Sequence, residues 1–598
     1  LMIRQPPRST LFPYTTLYRS QQDIYNFTQD MKKKTVISAG VTIFIILVPV
    51  FASIPSDIAI QSNREIWEDL VWNVQISREI KWSRQASGID VGEISFFEER
   101  DISQYVSSLN DQDIIDVMRQ YDKDISARRM IKEIRSANST MADSDIIYVP
   151  GKGEFWVAPK TLQIEIIEQS NVNKHTELYD HVDGFIALDT STGEPVAPED
   201  YIDIFGVPSN HPIFFGEAED QTYRSGDDNI TDTGILTPSV AYDNDILLNT
   251  GWKSEGNHYQ GEPDGTLTGL EAFWFTMNMG LTDYARNGEE KAFLINRNIK
   301  TRFQAVLLPG LVIDNDPYLV FDRENGKMFY AVSIYTQIAL GSYAKSNILR
   351  FLGVVLVDVK TGELTWYANP SLPMVQNDPT SMIWRVYMSN DVYPWQPAPD
   401  WLKQQLRYPE NLWEEQLRAH YVYHVQNPEI WKKGNEFFKR PKDENEIELD
   451  TFFIETDLAS GLEFVGVDLV EYSAEETEKL AGLYVIRHGE FFGQTVFYSS
   501  SELFGPITAR KQFSTYAAQD FTLLGDYRYG NILLYPLAGS LYYFIPVYST
   551  SNDYESLRLA GLINAYDNSK IYWGTSVSGA YQSLDRKSTR LNSSHRIR

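Results

Sequence analysis

The sequence has no cysteine among its 598 residues. Without thiols the chain can form no disulfide bond, no thiolate zinc site and no cysteine nucleophile. A chain of this length does not need such cross-links, because it is long enough to bury two or three hydrophobic cores. The sequence also lacks a GxSxG nucleophile motif, a phosphate-binding loop and a dinucleotide-binding glycine pattern. It therefore gives no sign of a nucleophilic or nucleotide-dependent enzyme, and we assign no catalytic residue, no cofactor and no metal ligand.

Positive charge is scarce. The chain has 53 Lys and Arg against 81 Asp and Glu, which gives a net charge of −28. Because such a field repels phosphate backbones, we expect no nucleic-acid partner. Aromatic residues, in contrast, make up 13% of the chain and include 36 tyrosines. Aromatic side chains favour half-buried strands, so the composition indicates a β-rich protein.

One long apolar run dominates the organisation of the chain. It extends from Thr35 to Ile54 without a charge, which is about the length that a helix needs to cross a bilayer. Three lysines, at 32–34, stand directly before it, and acidic residues follow from Asp57. By the positive-inside rule the lysines stay in the cytoplasm. We therefore predict that Thr35 to Ile54 contacts the lipid bilayer of the plasma membrane and that the bulk of the chain is extracytoplasmic.

The same segment has a second interpretation. Met31, the lysines, the apolar run and the small Ala52 also have the layout of a cleaved secretory signal. The run is longer than the usual core of a signal, which favours an uncleaved anchor. Both alternatives place the body of the protein outside the cytoplasm, whereas a third, a buried core helix, does not.

The two ends of the sequence have the character of artefacts. Residues 1–20 contain STLFPYTTLYRS and residues 585–598 contain DRKSTRLNSSH, which resemble translated sequencing adapters. We exclude both ends from fold reasoning, as engineered scars would be excluded. Residues 21–34 are then predicted to be a cytoplasmic segment, followed by a transmembrane helix at 35–54.

Beyond the apolar run the pattern predicts an α+β fold. Residues 55–144 have helical spacing and are predicted to form a helical neck. Residues 145–383 and 443–584 consist of short apolar runs separated by glycine and acidic turns, and each is predicted to be a β-rich domain. Residues 384–442 are predicted to be an inserted helical segment.

Three stretches share a hairpin pattern. They are FIALDTSTGEPV from Phe185, YLVFDRENGKMFYAV from Tyr318 and GVVLVDVKTGELTWYA from Gly353. In each, an apolar run leads to an aspartate, then polar residues, a glycine and a second apolar run. Aspartate can accept hydrogen bonds from its own turn and glycine permits a positive φ, so these stretches predict antiparallel hairpins.

Two histidines stand four residues apart in LRAHYVYHVQNP. On a helix this spacing places His420 and His424 on one face, as a metal site requires. Tyr421 stands where the zinc-protease motif has glutamate, so the motif does not predict zinc. Packed, hydrogen-bonded histidines near a helix end are the favoured interpretation.

Acidic residues provide other candidates. The alternating oxygen ligands of Asp314 and Asp316, and those of the turn at 225–229, could hold calcium, but neither has the spacing of a calcium loop and turn formation is favoured. Glu217, Asp316 and Glu410 could supply the acid and base of glycoside hydrolysis, which needs two carboxyl groups about 5 to 10 Å apart. Sequence alone does not bring them together.

Several motifs, taken together and in order, resemble one family. They are HPIFFGE at His211, INRNIKTRF at Ile295, the Asp314 stretch DNDPYLVFDRENGKMFYAVSIYT, LRYPENLWEEQLRAHYVYHVQNPEIW at Leu406, FGPITAR at Phe504, and YGNILLYPLAGSLYYFIPVYS at Tyr529. This set is similar to uncharacterised protein family (UPF) 0182, prokaryotic membrane proteins with several N-terminal spans and a large extracytoplasmic region. The resemblance implies this membrane topology, but it implies no established enzymatic reaction.

The binding-site candidates that remain are Asp314, Asp316, Arg407, Glu410 and His424. The first functional hypothesis is a membrane-anchored extracytoplasmic binding or envelope-assembly module that performs no covalent chemistry, with an envelope protein or a glycan as partner. The alternative is a surface hydrolase that acts on glycan or peptide through paired carboxylates. A third hypothesis is a subunit of a transport assembly.

Overall fold

The fold is α+β and is built mainly from antiparallel sheets, as the hairpin pattern predicts. The structure is a computed structural model. It describes residues 71–91, 94–134, 139–141, 143–162, 182–217, 247–249, 265–278, 291–294, 296–338, 348–368, 393–443, 447–458, 461–474, 479–549 and 555–584. Spatial contacts divide the chain into two units, residues 1–79 and residues 80–598. Both predicted β-rich regions belong to the second unit.

The helices of the described residues are short, and several begin at a side chain that accepts a hydrogen bond from the first turn. Asn110, Asp122, Asn298 and Asn427 are such N-caps. In chain order the helices are Asn73–Ala86 (α1), Asp111–Val117 (α2), Lys123–Glu133 (α3), Tyr201–Phe205 (α4), Gly269–Asn278 (α5), Ile299–Val306 (α6), Asp400–Lys403 (α7), Glu410–Tyr423 (α8), Pro428–Lys433 (α9), Pro506–Tyr516 (α10) and Ala518–Leu524 (α11).

Three of the first nine strands pair with a long central strand, β6. In chain order they are Asp90–Val91 (β1), Ile94–Ser95 (β2), Phe97–Asp101 (β3), Ser139–Met141 (β4), Asp145–Val149 (β5), Gly153–Leu162 (β6), Val182–Asp183 (β7), Phe185–Asp189 (β8) and Pro212–Ile213 (β9). Strands β4, β5 and β8 all pair with β6 in antiparallel register, and β7 pairs with β9.

The middle of the chain contributes a three-stranded and a six-stranded sheet. Its strands are Leu247–Asn249 (β10), Gly265–Leu267 (β11), Lys291–Leu294 (β12), Leu311–Ile313 (β13), Tyr318–Asp322 (β14), Lys327–Ile338 (β15), Ile348–Asp358 (β16), Leu364–Ala368 (β17) and Gln396–Pro397 (β18). Strand β12 lies between β10 and β11, and the larger sheet has the order β13-β15-β16-β17-β18, with β14 also on β15.

The last strands form two larger sheets. They are Phe438–Lys439 (β19), Phe452–Asp457 (β20), Leu462–Tyr472 (β21), Leu480–Arg487 (β22), Thr495–Ser499 (β23), Tyr527–Tyr529 (β24), Leu533–Leu537 (β25), Ser540–Ser549 (β26), Ser556–Asn564 (β27) and Ile571–Gly574 (β28). One sheet has the order β19-β21-β22-β23-β3 with β20 on β21, and the other has the order β24-β26-β27-β28 with β25 on β26.

The predicted hairpin turns are confirmed. Asp189 and Asp358 accept hydrogen bonds from backbone N–H groups two and three residues further on, and Asp322 accepts one from the amide three residues further on. The glycine of each turn has a positive φ, between 63° and 69° at Gly193, Gly326 and Gly362. Aspartate and glycine therefore fix these turns by the mechanism that their spacing predicts.

A large hydrophobic core lies between the two C-terminal sheets and the helices α2, α10 and α11. Nearly every residue of β26 is buried, as its continuous apolar sequence predicts for a strand covered on both faces. Ile114 and Met118 from the N-terminal part of the chain belong to this core. The core therefore joins segments more than 400 residues apart in sequence, such as Ile114 and Phe544.

The segment assigned to a helical neck differs from its prediction. Helices α1, α2 and α3 lie within residues 55–144, but Phe97–Asp101 forms β3, which pairs in parallel with β23. Only Phe97 of this strand is buried, and its other side chains are charged. An edge strand with charged residues has no apolar alternation, so its sequence does not reveal it.

In the part of the chain that the structure describes, no helix is both long enough and apolar enough to cross a bilayer. The predicted span, Thr35 to Ile54, lies outside the described residues.

Candidate functional site

Arg407 joins three separate segments of the chain. Its Nη2 lies 2.6 Å from Oδ2 of Asp316 and 3.5 Å from Oδ1 of Asp145, and its Nη1 donates to the carbonyl of Ile146 at 3.3 Å. The guanidinium is buried, and Asp145 is buried with it. Because charges are buried in proteins only when they are paired, the three segments must be assembled around this arginine.

The local sequence fixes where Arg407 points. Pro409 is the N-cap of α8, so the chain before it is extended and the helix begins at Glu410. The backbone N–H of Arg407 donates to the hydroxyl of Tyr318 at 2.8 Å. The guanidinium lies over the rings of Tyr318 and Phe453, with 4.7 and 5.4 Å to the ring centroids. Aromatic stacking of this kind suits arginine better than lysine.

Hydrogen bonds to the side chain of Asp314 stabilise the acidic turn that contains Asp314 and Asp316. Oδ1 of Asp314 accepts from the backbone N–H of Asp316 at 3.0 Å and from Nδ2 of Asn411 at 3.1 Å. The hydroxyl of Tyr335 donates to its other oxygen. Burial raises the pKa of the Asp314 carboxyl, and these hydrogen bonds oppose that effect. Asp314 therefore positions Asp316, whose side chain is one-third exposed.

Glu410 lies at the first turn of α8. Its Oε1 accepts from the hydroxyl of Thr451 at 3.3 Å. Burial raises the pKa of Glu410, and the positive charge of Arg407 partly offsets this rise. A carboxyl with a raised pKa can hold a proton closer to neutral pH than an exposed one, so Glu410 can act as a hydrogen-bond donor or a proton donor.

Two further acidic residues have strongly perturbed pKa values. Burial, followed by the charge of Asp316, raises the pKa of Asp145 well above its usual range. Burial, followed by the charges of Asp145 and Asp316, does the same to Glu217. Burial and neighbouring carboxylates therefore both favour the protonated form of Asp145 and of Glu217.

Asp145, Asp316, Arg407 and Glu410 line one cavity of about 730 Å³. The aromatic residues Trp156 and Tyr529 contribute to the same wall. Charged residues of both signs surround it: Arg119, Lys123, Arg407 and Arg528 against Asp122, Asp124, Asp145, Asp316, Glu410, Asp443 and Asp450. We call this space the Arg407 cavity.

Two of the other cations that line the Arg407 cavity, Lys123 and Arg528, form ion pairs with aspartates. The ammonium of Lys123 lies 2.8 Å from Asp143. Burial lowers the pKa of Lys123, but the charge and the hydrogen bond of Asp143, together with the charges of Asp145 and Asp316, outweigh burial and raise it. Nη2 of Arg528 lies 3.2 Å from Asp124. The cavity lining therefore contains both hydrogen-bond donors and acceptors.

Behind the cavity wall lies a second buried carboxyl. Oε2 of Glu154 accepts from the backbone N–H of Glu455 at 2.9 Å. Burial raises the pKa of Glu154 to about 8 and that of Glu455 to about 7. Arg119 donates from Nη1 to the carbonyl of Phe453 at 2.9 Å and favours the charged form of Glu154.

His424 does not line the Arg407 cavity. It lines a different cavity of about 590 Å³ together with His420, and its ring is stacked on Phe438 at 3.8 Å. Its Nδ1 is 3.0 Å from the carbonyl of His420, and Nδ1 of His420 is 2.7 Å from the hydroxyl of Tyr484. Burial lowers the pKa of His424 to about 4. These contacts confirm the interpretation as packed, hydrogen-bonded histidines.

The residues described by the structure contain no group of three or more His, Asp or Glu side chains that could hold a metal ion. The calcium hypothesis for the turn at Asp314 gains no support. The turn at 225–229 lies outside the described residues.

Of the five candidate positions, the structure brings together Asp314, Asp316, Arg407 and Glu410, and it separates His424 from them. Sequence analysis missed Asp145, which lies at the first position of the buried strand β5. The sequence signal for Asp145 was its position directly before the apolar run IIYV, where a buried strand also buries the carboxylate.

The fold and the cavity define a class: an α+β protein of antiparallel sheets that encloses a polar cavity around a buried, ion-paired arginine. A family model described as "Uncharacterised protein family (UPF0182)" matches residues 23–520. The chain belongs to this family, which confirms the resemblance of its motifs.

Relatives in three organisms show how far the similarity extends. A UPF0182 protein of Alkaliphilus metalliredigens is 25% identical over 87% of this chain and 56% of its own length. A UPF0182 protein of Clostridium botulinum is 21% identical over 96% of this chain and 66% of its own length. A UPF0182 protein of Salinibacter ruber is 24% identical over 76% of this chain and 50% of its own length. The chain thus spans about half to two thirds of these relatives. No solved structure matches it.

Proposed function

We propose that the protein is a binding module whose Arg407 cavity takes a hydroxyl-rich ligand, such as a glycan. The observation that carries this proposal is the buried ion pair of Arg407 with Asp316 and Asp145 at the wall of a 730 Å³ cavity. Volumes of about 300 to 1,000 Å³ are usual for ligand pockets.

The lining supports a neutral polar ligand over a simple ion. Seven carboxyl groups and four cationic side chains line the cavity, so the wall carries charges of both signs. Hydroxyl groups both donate and accept hydrogen bonds, which matches such a wall. Trp156 and Tyr529 add aromatic carbon to the lining, against which the C–H groups of a sugar ring can pack.

A binding panel tests this proposal. The whole chain, reconstituted in lipid nanodiscs, is titrated calorimetrically with soluble oligosaccharides, including peptidoglycan fragments. We expect at least one to bind, and we expect N531W to weaken that binding at least tenfold, because Asn531 is an exposed residue of the cavity lining. L523W is the control, since Leu523 is 84% exposed and lies outside the cavity lining. Absence of binding across the panel, or equal binding by both variants, contradicts the proposal.

We also propose that the module faces the outside of the plasma membrane, anchored through Thr35 to Ile54. The supporting observations are the uncharged run and the lysines at 32–34 before it. Protease added to intact cells should then remove the body of the protein, and lysis should not be required. Digestion only after lysis would contradict this orientation.

A second candidate function is hydrolysis of a glycan or peptide. The observation that favours it is the presence of Asp316 and Glu410 on one cavity, with the pKa of Glu410 raised by burial. If this function holds, D316N and E410Q each reduce turnover of the bound oligosaccharide by orders of magnitude. Unchanged turnover in both variants excludes the two residues as base and acid.

The third candidate is a subunit of a transport assembly. Its support is that the relatives are longer than this chain, which covers 56% and 66% of two of them. Cross-linking of the full-length protein in native membranes tests it, because a transport subunit must yield a reproducible membrane-embedded partner. A full-length protein that remains uncross-linked contradicts it.

A further inference from the structure

The cavity beside His424 has no role in the function proposed above. Its volume of about 590 Å³ lies within the range of about 300 to 1,000 Å³ that is usual for ligand pockets. Its lining shares no residue with that of the Arg407 cavity, so the two are separate spaces. We call it the His424 cavity, and the composition of its lining indicates which ligand fits it.

The fold builds the His424 cavity from one end of α8 and one sheet. His420 and His424 are four residues apart at the C-terminal end of α8, so their side chains lie on the same face of the helix. Phe97 and Glu99 are two residues apart on β3, which pairs with β23, so their side chains lie on the same face of the sheet. The cavity lies between these two faces, and the ring of Phe97 is 4.2 Å from that of His420.

Aromatic rings form a large part of this lining. The ring of Phe438 is stacked on that of His424, with 3.8 Å between centroids, and the ring of Phe497 lies 5.2 Å from that of Phe438. Burial lowers the pKa of both histidines, that of His424 to about 4. Both imidazoles are therefore neutral at physiological pH, and they do not repel a positively charged ligand.

Carboxylates outnumber cations in the same lining. Asp90, Glu99 and Glu436 stand against a single cation, Arg84. Arg84 and Asp90 offset each other, because Nε and Nη2 of the guanidinium donate to the two carboxylate oxygens at 2.5 and 2.7 Å. Glu99 and Glu436 are exposed, and neither forms an ion pair with a cation in the described part of the chain. The His424 cavity thus carries two uncompensated negative charges.

The end of α8 adds to this negative field. The last carbonyl groups of a helix carry partial negative charge, which stabilises a nearby cation. The carbonyl of Tyr423 accepts a hydrogen bond from Nη1 of the buried Arg84 at 2.7 Å. The structure therefore already places one cationic group at this end of the helix.

From this geometry we propose that the His424 cavity is a second binding site, which takes a small organic cation with an alkylated ammonium group, such as trimethylammonium. Aromatic rings attract such cations through cation–π interactions, and proteins use aromatic linings to recognise quaternary ammonium ligands. Glu99 and Glu436 provide the countercharge. A metal ion is disfavoured, because the described residues hold no group of three His, Asp or Glu side chains that could ligate one.

A matched pair of probes tests the site. Choline carries a trimethylammonium group, and neohexyl alcohol has the same shape with an uncharged carbon atom in place of the nitrogen. The whole chain is titrated calorimetrically with each probe in nanodiscs of phosphatidylglycerol, which has no choline headgroup. Empty nanodiscs provide the correction for binding to lipid. We expect choline to bind at least tenfold more tightly than neohexyl alcohol.

Three variants separate charge from shape. The double variant E99Q/E436Q keeps the size of both side chains but removes their charge, so its preference for choline should fall to about threefold or less. E324Q is the control and should keep the full preference, because Glu324 is exposed and does not line the cavity. Gln426 is an exposed residue of the lining, so Q426W should fill the cavity and bind neither probe.

Four results would each overturn the proposal. They are equal binding of the two probes by the original chain, no binding of choline, an unchanged preference in E99Q/E436Q, and undiminished binding of choline by Q426W. N531W should leave the binding of choline unchanged, which separates this site from the Arg407 cavity. Loss of choline binding in N531W would place the cation in the Arg407 cavity instead and would also overturn the proposal.

Discussion

Arg407 and Asp316 are 91 residues apart in sequence, and their side chains form an ion pair of 2.6 Å. Asp145, a further 171 residues before Asp316, completes the group at 3.5 Å. The pair therefore ties β5, the turn before β14 and the start of α8 to one another. It fixes the wall of the cavity in which we place the ligand.

Removal of this arginine should destabilise the protein strongly. In R407M, Asp145 and Asp316 lose their countercharge while Asp145 stays buried, so we expect a loss of about 3 to 5 kcal/mol in the free energy of unfolding. R418M is the matched control, because Arg418 is 53% exposed and its pairs with Glu414 and Glu415 lie on the surface of α8. The control should change by less than about 0.5 kcal/mol. Urea denaturation measures both, and equal effects would show that the ion pair has no structural role.

The hydroxyl of Tyr335 should matter more than an ordinary tyrosine hydroxyl. It donates to the buried carboxyl of Asp314, which positions Asp316. In Y335F that carboxyl loses a donor, so we expect a loss of about 1 to 3 kcal/mol. Y516F is the control, because Tyr516 is 53% exposed. If the two phenylalanine variants unfold at the same urea concentration, the Tyr335–Asp314 hydrogen bond does not support the turn.

Glu154 should make stability depend on pH. Its folded-state pKa, about 8, exceeds the ordinary value of 4.5, so protons favour the folded state. The stabilisation is complete below pH 4.5 and is lost as the pH rises towards 8, by up to about 1.4 kcal/mol for each pH unit. E154Q keeps an oxygen for the Glu455 N–H but does not titrate. Thermal unfolding of the two proteins from pH 5 to 8 should show a steeper decline for the original chain, and parallel curves would contradict the assignment.

Two turn glycines should differ in their tolerance of alanine. Gly326 and Gly362 have similar positive φ values of 63° and 69°. A Cβ at Gly326 would meet its nearest neighbour at 3.5 Å, whereas one at Gly362 would lie 2.5 Å from the ring of Phe215. We expect G326A to cost about 1 kcal/mol from backbone strain and G362A to cost about 1 to 3 kcal/mol more from overpacking. Equal costs in urea denaturation would contradict the close packing of Phe215 on this turn.

The sequence predicts local features of this fold well. The turns at Asp189, Asp322 and Asp358 follow from residues within a few positions of one another. Hydrogen bonds and φ preferences act over such short distances, so they leave a readable pattern.

Features that depend on distant pairs are not visible in the same way. Strand β3 pairs with β23, almost 400 residues away. Its mostly charged sequence has no apolar alternation from which a strand could be predicted. Asp145 meets Arg407 only because the sheets bring them together. His424 belongs to the same sequence motif as Arg407 and Glu410. It lies at the C-terminal end of α8, about four helical turns from Glu410, and it lines another cavity. Of the five site candidates, His424 alone lines this other cavity.

The most direct measurement of the central claim is an experimental structure of the chain saturated with an oligosaccharide that binds in the panel. The account predicts sugar density inside the Arg407 cavity, with a hydroxyl within hydrogen-bond distance of Asp316 and a ring face against Trp156. An empty cavity at saturating ligand, or sugar bound only elsewhere on the protein, would contradict it.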